Sequence, residues 1–230
     1  MSNFLNDSLF AGVSISLIAY MIGVFLNNKY KMPLFNPLLV SVILSIVVLI
    51  VADVDYEVYN AGASYLSWFL TPATVCLAIP LYEQLHVLKK NWFAIILAIV
   101  SGVITSSVTI LVLSKIMKLN HKEYVTLLPK SITTAIGMGL SEEMQGYVTI
   151  TVAVIIITGV IGNVLGEAVC KIFRITHPVA KGLSLGTSAH VLGTAKAMEM
   201  GDVEGAMSSL SIVVAGLMTV ASSIVFSNLI

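Results

Sequence analysis

Residues 182–199 read GLSLGTSAHVLGTAKAME, and they put Ser, Thr, His, Lys and Glu where the neighbouring sequence leads one to expect an apolar membrane span. A charged side chain at the centre of a spanning helix costs about 2.5–3.5 kcal/mol on the insertion scale, so a cluster this polar marks a functional site by default. Gly186, Ala189, Gly193, Ala195 and Ala197 recur through the same stretch at intervals that let helices approach closely. An ordinary polar loop needs no such spacing.

The surroundings make the stretch unusual. Of 230 residues, 57% are hydrophobic and 10% charged, where soluble domains carry about 25% charged residues, and the mean hydropathy is +0.98. At about 20 residues per spanning helix there is room for seven or eight spans, short connections and no separate soluble domain. The expected fold is an all-α polytopic membrane protein, residues 1–230 forming one membrane domain. The net charge is zero and no Lys/Arg run exceeds two, which argues against nucleic acid and against a polybasic lipid anchor. Cys76 and Cys170 sit in apolar segments without CxxC or Cys/His spacing and read as small hydrophobes rather than as a disulfide or metal ligands. No cofactor or metal is expected. The first apolar stretch, from Leu9, lacks a small-residue cleavage site and reads as a retained span.

Residues 9–26 make the first span, and Lys29 and Lys31 at its exit favour the cytoplasm. Asn36, between Pro33 and Pro37, is a candidate cap at the mouth of a second span over 38–52, and equally a candidate substrate contact. Asp53, Asp55 and Glu57 form an acidic loop suited to the external side. The segment SWFLTPATVCLAIPLYEQL, 67–85, carries Pro72 and Pro80 inside an apolar run, which predicts a kinked or discontinuous helix. Irregular backbone is tolerated at membrane depth only where it lines a cavity, which makes Pro72 and Thr74 candidate substrate contacts. Lys89 and Lys90 mark a cytoplasmic return before a long span from Trp92 to about Ser114.

A second polar island, LPKSITTAIGMGLSEEMQG, occupies 128–146. Pro129 opens a predicted helix whose first turns hold Lys130, Ser131, Thr133 and Thr134. Glu142 and Glu143 fall at its far end, unfavourably for the helix dipole, so they are expected in water or beside a cation. An apolar span over 149–169 leads to Lys171, Arg174, His177 and Lys181, the most basic loop of the chain. Placing that loop in the cytoplasm requires 128–146 to re-enter and leave on one side, giving seven spans plus a re-entrant segment. Lys115, Lys118 and Lys122 then stay external, against the trend.

Shifting the chain by 115 residues lays Leu70 on Leu185, Pro72 on Thr187 and Trp92 on Met207. With seven spans the related segments run in opposite directions. The expectation is an inverted repeat, about 5–118 and 120–230, whose broken helices at 70–82 and 182–193 meet near the midplane.

Three blocks, LTPATVCLAIPLY at 70–82, LLPKSITTAIGMGLSEEMQG at 127–146 and GLSLGTSAHVLGTAKAMEMGDVEGAMSSL at 182–210, resemble the LrgB/CidB family of bacterial membrane proteins over nearly the whole chain. The resemblance implies a multi-pass protein of the bacterial cell membrane. It carries two functional associations. Names in that family, antiholin-like protein or regulator of murein hydrolase export, link it to lysis beside a small holin-like partner of the LrgA/CidA type. Its kinship with the plastidic glycolate/glycerate translocator and with bacterial pyruvate uptake implies small monocarboxylate transport.

The residues fit an organic anion. Gly186, Thr187 and Ser188, at the start of a half-helix, offer N–H groups, hydroxyls and a positive dipole end. On a continuous helix Thr187, His190 and Thr194 share a face. An unperturbed histidine titrates near physiological pH, which makes His190 the candidate proton carrier, and Lys130 is the natural counter-charge. Lys196 and Glu199, three apart, read as an ion pair closing the span. Ser188, His190 and Glu199 have the residue types of a hydrolytic triad, but Ser188 and His190 do not face each other on a helix, and no GxSxG, HExxH or GxxxxGK[ST] occurs. An enzyme is therefore not expected, and transport would be secondary. The sequence puts a monocarboxylate carrier first and an antiholin-like regulator second. The expected partners are a small organic anion, the LrgA/CidA-type protein and the lipid bilayer, with self-assembly left open.

Overall fold

Apolar runs of this length leave the backbone no water to bond, and a helix satisfies its own N–H and C=O groups. The computed structural model describes residues 10–30, 35–76 and 78–230, which are helical throughout apart from short connections and contain no strand. They divide into two compact units, Met1–Cys76 and Leu77–Ile230.

The first unit holds α1 (Ala11–Tyr30), α2 (Pro37–Ala52), α3 (Tyr56–Ser67) and α4 (Leu70–Cys76). Asn36 caps α2: its Oδ1 accepts from the N–H groups of Leu38 and Leu39 at 3.0 and 3.3 Å, with Pro37 in the first turn. Asp55 caps α3 through the Glu57 N–H at 3.1 Å. Pro72 lies inside α4 and is exposed. Lys31, Pro33 and the side chain of Thr74 fall outside the described residues.

The second unit follows with α5 (Ala78–Glu83), α6 (Leu85–Met117), α7 (His121–Leu127), α8 (Thr134–Glu143), α9 (Val148–Ile172), α10 (Pro178–Met200) and α11 (Asp202–Phe226). Among the described residues four helices are long and apolar enough to cross a membrane: Ala11–Tyr30, Leu85–Met117, Val148–Ile172 and Asp202–Leu229. Ile95 and Ile99 of α6 pack with Ala206 and Met207 of α11, while Ile110 shares a second cluster with Tyr124 and Phe226. Helices α6 and α11 therefore run the same way. Helix α9 runs against them.

Two segments turn back on themselves. Helices α7 and α8 form the first hairpin, and both of its ends sit at the start of α9. There the Tyr147 N–H donates to Thr126 Oγ1 at 2.8 Å, Thr151 Oγ1 donates to the Thr126 carbonyl at 2.9 Å, and the Ser141 and Thr151 hydroxyls lie 2.7 Å apart. Its tip carries Ser131 to within 3.4 Å of Ser106 Oγ, about 16 Å of helical rise short of Met117. The helix expected from Pro129 begins instead at Thr134, with Thr133 as N-cap. Between them Lys130 N–H bonds Leu127 O at 3.2 Å and Ile132 N–H bonds Pro129 O at 3.3 Å, tight i to i+3 turns in place of a helix.

Helix α10 is the second hairpin. Its dihedrals leave the helical region at Ala189 (φ −133°, ψ 17°) and His190 (φ 43°, ψ −134°). On the way in, Gly182 abuts the Glu204 backbone, Leu185 abuts Gly166 and Ala189 abuts Gly162. On the way out, Asn163 Nδ2 donates to the Leu192 carbonyl at 2.7 Å and Lys196 Nζ pairs with Glu167 at 3.2 Å. The arms touch closely enough that a Cβ on Gly193 would strike the Leu185 carbonyl. Both ends of α10 thus lie at the end of α9, and residues 182–199 do not form the crossing expected of them. The inverted repeat drawn with Trp92 on Met207 needs α6 and α11 antiparallel, and the reversal at Ala189–His190 leaves them parallel.

Candidate functional site

The tip of the first hairpin and the inbound arm of the second approach α6 from opposite ends and border a cavity of about 630 Å³. Helix α6 contributes Asn91, Gly102, Thr105, Ser106 and Thr109, which recur on one helical face. From the first hairpin come Lys130 and Ser131, and from the second Ser184, Thr187 and Ser188. Gly102 is what admits the second hairpin, since a Cβ there would lie 2.7 Å from Thr187 Cγ2. Lys130 Nζ donates to Ser131 Oγ at 2.9 Å. Among the described residues no Asp or Glu lines the cavity, and the basic groups that do are Lys130 and His177. Lys130 makes no ion pair among the described residues. The arrangement is a largely apolar chamber studded with hydroxyls, with one lysine charge and room for an anion.

Four of the anticipated residues, Lys130, Ser131, Thr187 and Ser188, line this cavity, although the Ser188 hydroxyl also donates to the Ser184 carbonyl at 2.7 Å. The other anticipated residues of this unit lie elsewhere. Thr133 caps α8 and Thr134 begins it. Gly186 packs against α11, where an added Cβ would strike the Ser208 carbonyl. His190 is buried and donates Nε2–H to the Ile155 carbonyl of α9 at 3.1 Å. Thr194 Oγ1 lies 2.7 Å from Ser208 Oγ and 3.0 Å from the His190 carbonyl. Thr187, His190 and Thr194 therefore do not share one face, because the spacing argument presumes an unbroken helix and the break falls between the first two. Lys196 and Glu199 do pair, at 3.0 Å, with Glu167 joining them. Glu142 and Glu143 are exposed. Asn36 and Pro72 belong to the first unit.

Compared with known proteins, residues 16–229 match the LrgB-like family. The chain belongs to the LrgB-like family. Among its relatives is the antiholin-like protein LrgB of Bacillus mycoides (strain KBAB4), 45% identical over 210 residues that make up 91% of each chain. The proteins of the same name from Bacillus cereus (strain B4264) and Bacillus anthracis (strain CDC 684 / NRRL 3495) are 44% identical over the same shares. No solved structure matches.

In this LrgB-like protein Asn91, Thr105, Ser106, Thr109 and Ser184 line the cavity without any signal of their own in the sequence, and His177 stands out there only as a loop charge. Scattered hydroxyls in an apolar helix usually bond their own backbone, as Thr109 does to the Thr105 carbonyl at 2.7 Å. The signal that could have found them is their recurrence with Gly102 on one face.

Proposed function

We propose that this LrgB-like protein is a multi-pass protein of the bacterial cell membrane and an antiholin-like component of lysis control, working with a small holin-like membrane protein. What supports this reading is the name borne by relatives 44–45% identical over 91% of their length; it reverses the order in which the sequence put the two functions. An antiholin opposes a permeabilising holin. Cells lacking the chain are expected to lyse sooner after a lysis stimulus, followed as loss of turbidity, and cells with the chain restored are expected to lyse on the original schedule. Lysis timing indifferent to both would remove the reading.

The basic loop Lys171–Lys181 faces the cytoplasm in this proposal. A cysteine at the exposed Thr176 is expected to react with an impermeant maleimide in inside-out vesicles and not in intact cells. Labelling from outside would reverse the orientation.

A second reading, secondary carriage of small monocarboxylates, is favoured by one observation: Lys130, which makes no ion pair among the described residues, in a chamber with no carboxylate among its described lining residues. Broken segments meeting at depth are how many carriers build a substrate site. Uptake of labelled pyruvate, glycolate and acetate into liposomes holding the pure protein, with and without the holin-like subunit, tests it. The readings coexist if metabolite flux feeds back on lysis.

A further inference from the structure

The mouth of the α10 hairpin, where both arms meet the end of α9, holds a second cavity of about 630 Å³. Four cations line it, Lys171, Arg174, Lys181 and Lys196, against two carboxylates, Glu167 and Glu199. The carboxylates are already engaged. Glu167 takes Lys171 at 2.8 Å and Lys196 at 3.2 Å, and Glu199 takes Lys196 at 3.0 Å. Arg174 and Lys181 are left without an ion pair among the described residues.

Arg174 is not needed as a helix cap. Its backbone is left-handed (φ 55°), its N–H bonds the Lys171 carbonyl at 3.2 Å, and the Ile175 N–H bonds the Cys170 carbonyl at 2.8 Å. The backbone thus closes α9 and leaves the guanidinium uncommitted. The depth of the cavity is fixed by its neighbours: Ile172 and Phe173 are 73% and 72% exposed, so apolar surface runs up to the turn that carries Arg174. That is the level at which hydrocarbon gives way to headgroups.

We propose that this cavity binds the phosphodiester headgroup of an anionic membrane lipid, with Arg174 and Lys181 as its ligands. A guanidinium grips phosphate oxygens bidentately and a lysine ammonium adds a point charge. Arg174 stands in the turn after α9 and Lys181 on the inbound arm of α10, so a bound phosphate ties these two segments together. The site is independent of which reading of the first cavity holds.

The test is thermal unfolding of the full-length protein, stripped of lipid in detergent, against rising phosphatidylglycerol, phosphatidylcholine or glycerol 3-phosphate. Phosphatidylglycerol is expected to raise the midpoint saturably and phosphatidylcholine to leave it unchanged. At about a fivefold loss per basic side chain, R174Q and K181Q each raise the half-saturating phosphatidylglycerol concentration about fivefold, and the double variant about thirtyfold. K90Q, which removes an exposed charge outside the cavity, leaves it unchanged. The single variants keep the test alive where the double variant fails to fold. Equal shifts from the two lipids, wild-type saturation in R174Q and K181Q, or an equal loss in K90Q would overturn the site. Glycerol 3-phosphate matching phosphatidylglycerol at equal concentration would overturn the lipid and leave a soluble phosphoester in its place.

Discussion

Gly186→Leu is expected to be among the most disruptive single substitutions in the second hairpin. A Cβ at this position strikes the Ser208 carbonyl and comes to 2.8 Å from both Ser208 Oγ and Ser211 Cβ. The obstruction is partly backbone, which no rotamer change relieves, so α10 must back away from α11. Overpacking of this kind costs about 1–3 kcal/mol. Separation also threatens the buried Thr194–Ser208 bond of 2.7 Å, and a buried hydroxyl left unpaired adds roughly 1–3 kcal/mol. Unfolding in detergent measures the sum, with Gly186→Ala falling between wild type and leucine. Gly139→Ala is the contrast, since a Cβ there meets nothing within 4 Å and alanine favours the helix by about 1 kcal/mol. Equal stabilities for Gly186→Leu and Gly139→Ala would refute the close approach.

Lys130→Ala is the second large effect, and it addresses the chamber rather than the scaffold. In the carrier reading a carboxylate held by the one lysine of the cavity loses its charge partner, a loss of ~2–5 kcal/mol by analogy with truncated buried pairs. Initial-rate uptake or direct binding of the labelled acid would show at least a thirtyfold loss of affinity for a cost of about 2 kcal/mol. Thr133→Ala, two residues past Ser131 and outside the lining, is expected to bind as wild type does. Unchanged affinity in Lys130→Ala would reduce this side chain to one that merely reaches for water.

The local features of the chain were legible because their causes are local. Asn36 before Pro37 announces a cap, and the charge pattern of Lys196 and Glu199 announces their pair. Counting charges at the loops asks 128–146 to enter and leave on one side, and the α7–α8 hairpin there does fold back on itself. The reversal within 178–200 was not legible. It falls at Ala189–His190, where His190 takes a positive φ that glycine would adopt more readily, while Gly186 and Gly193 on either side serve close approach rather than the turn. Polarity registers the cost of burying a segment, and nothing in it says that the chain comes back. The error then propagated: one crossing too many set α11 antiparallel to α6 and put His190 beside Thr187 on a face that does not exist.

The hairpin also constrains how the protein is made. Three of its polar groups take partners outside its own arms: the His190 ring the Ile155 carbonyl, the Leu192 carbonyl Asn163, and the Thr194 hydroxyl Ser208. Pro178–Met200 is not among the helices apolar enough to cross a membrane, and two of its partners reside on α9, synthesised before it, while the third resides on α11, synthesised after it. When the ribosome has finished Met200, one of these three partners has yet to be translated. The Thr194–Ser208 contact can form only once α11 has been made, so this part of the hairpin's docking follows the synthesis of the helix after it.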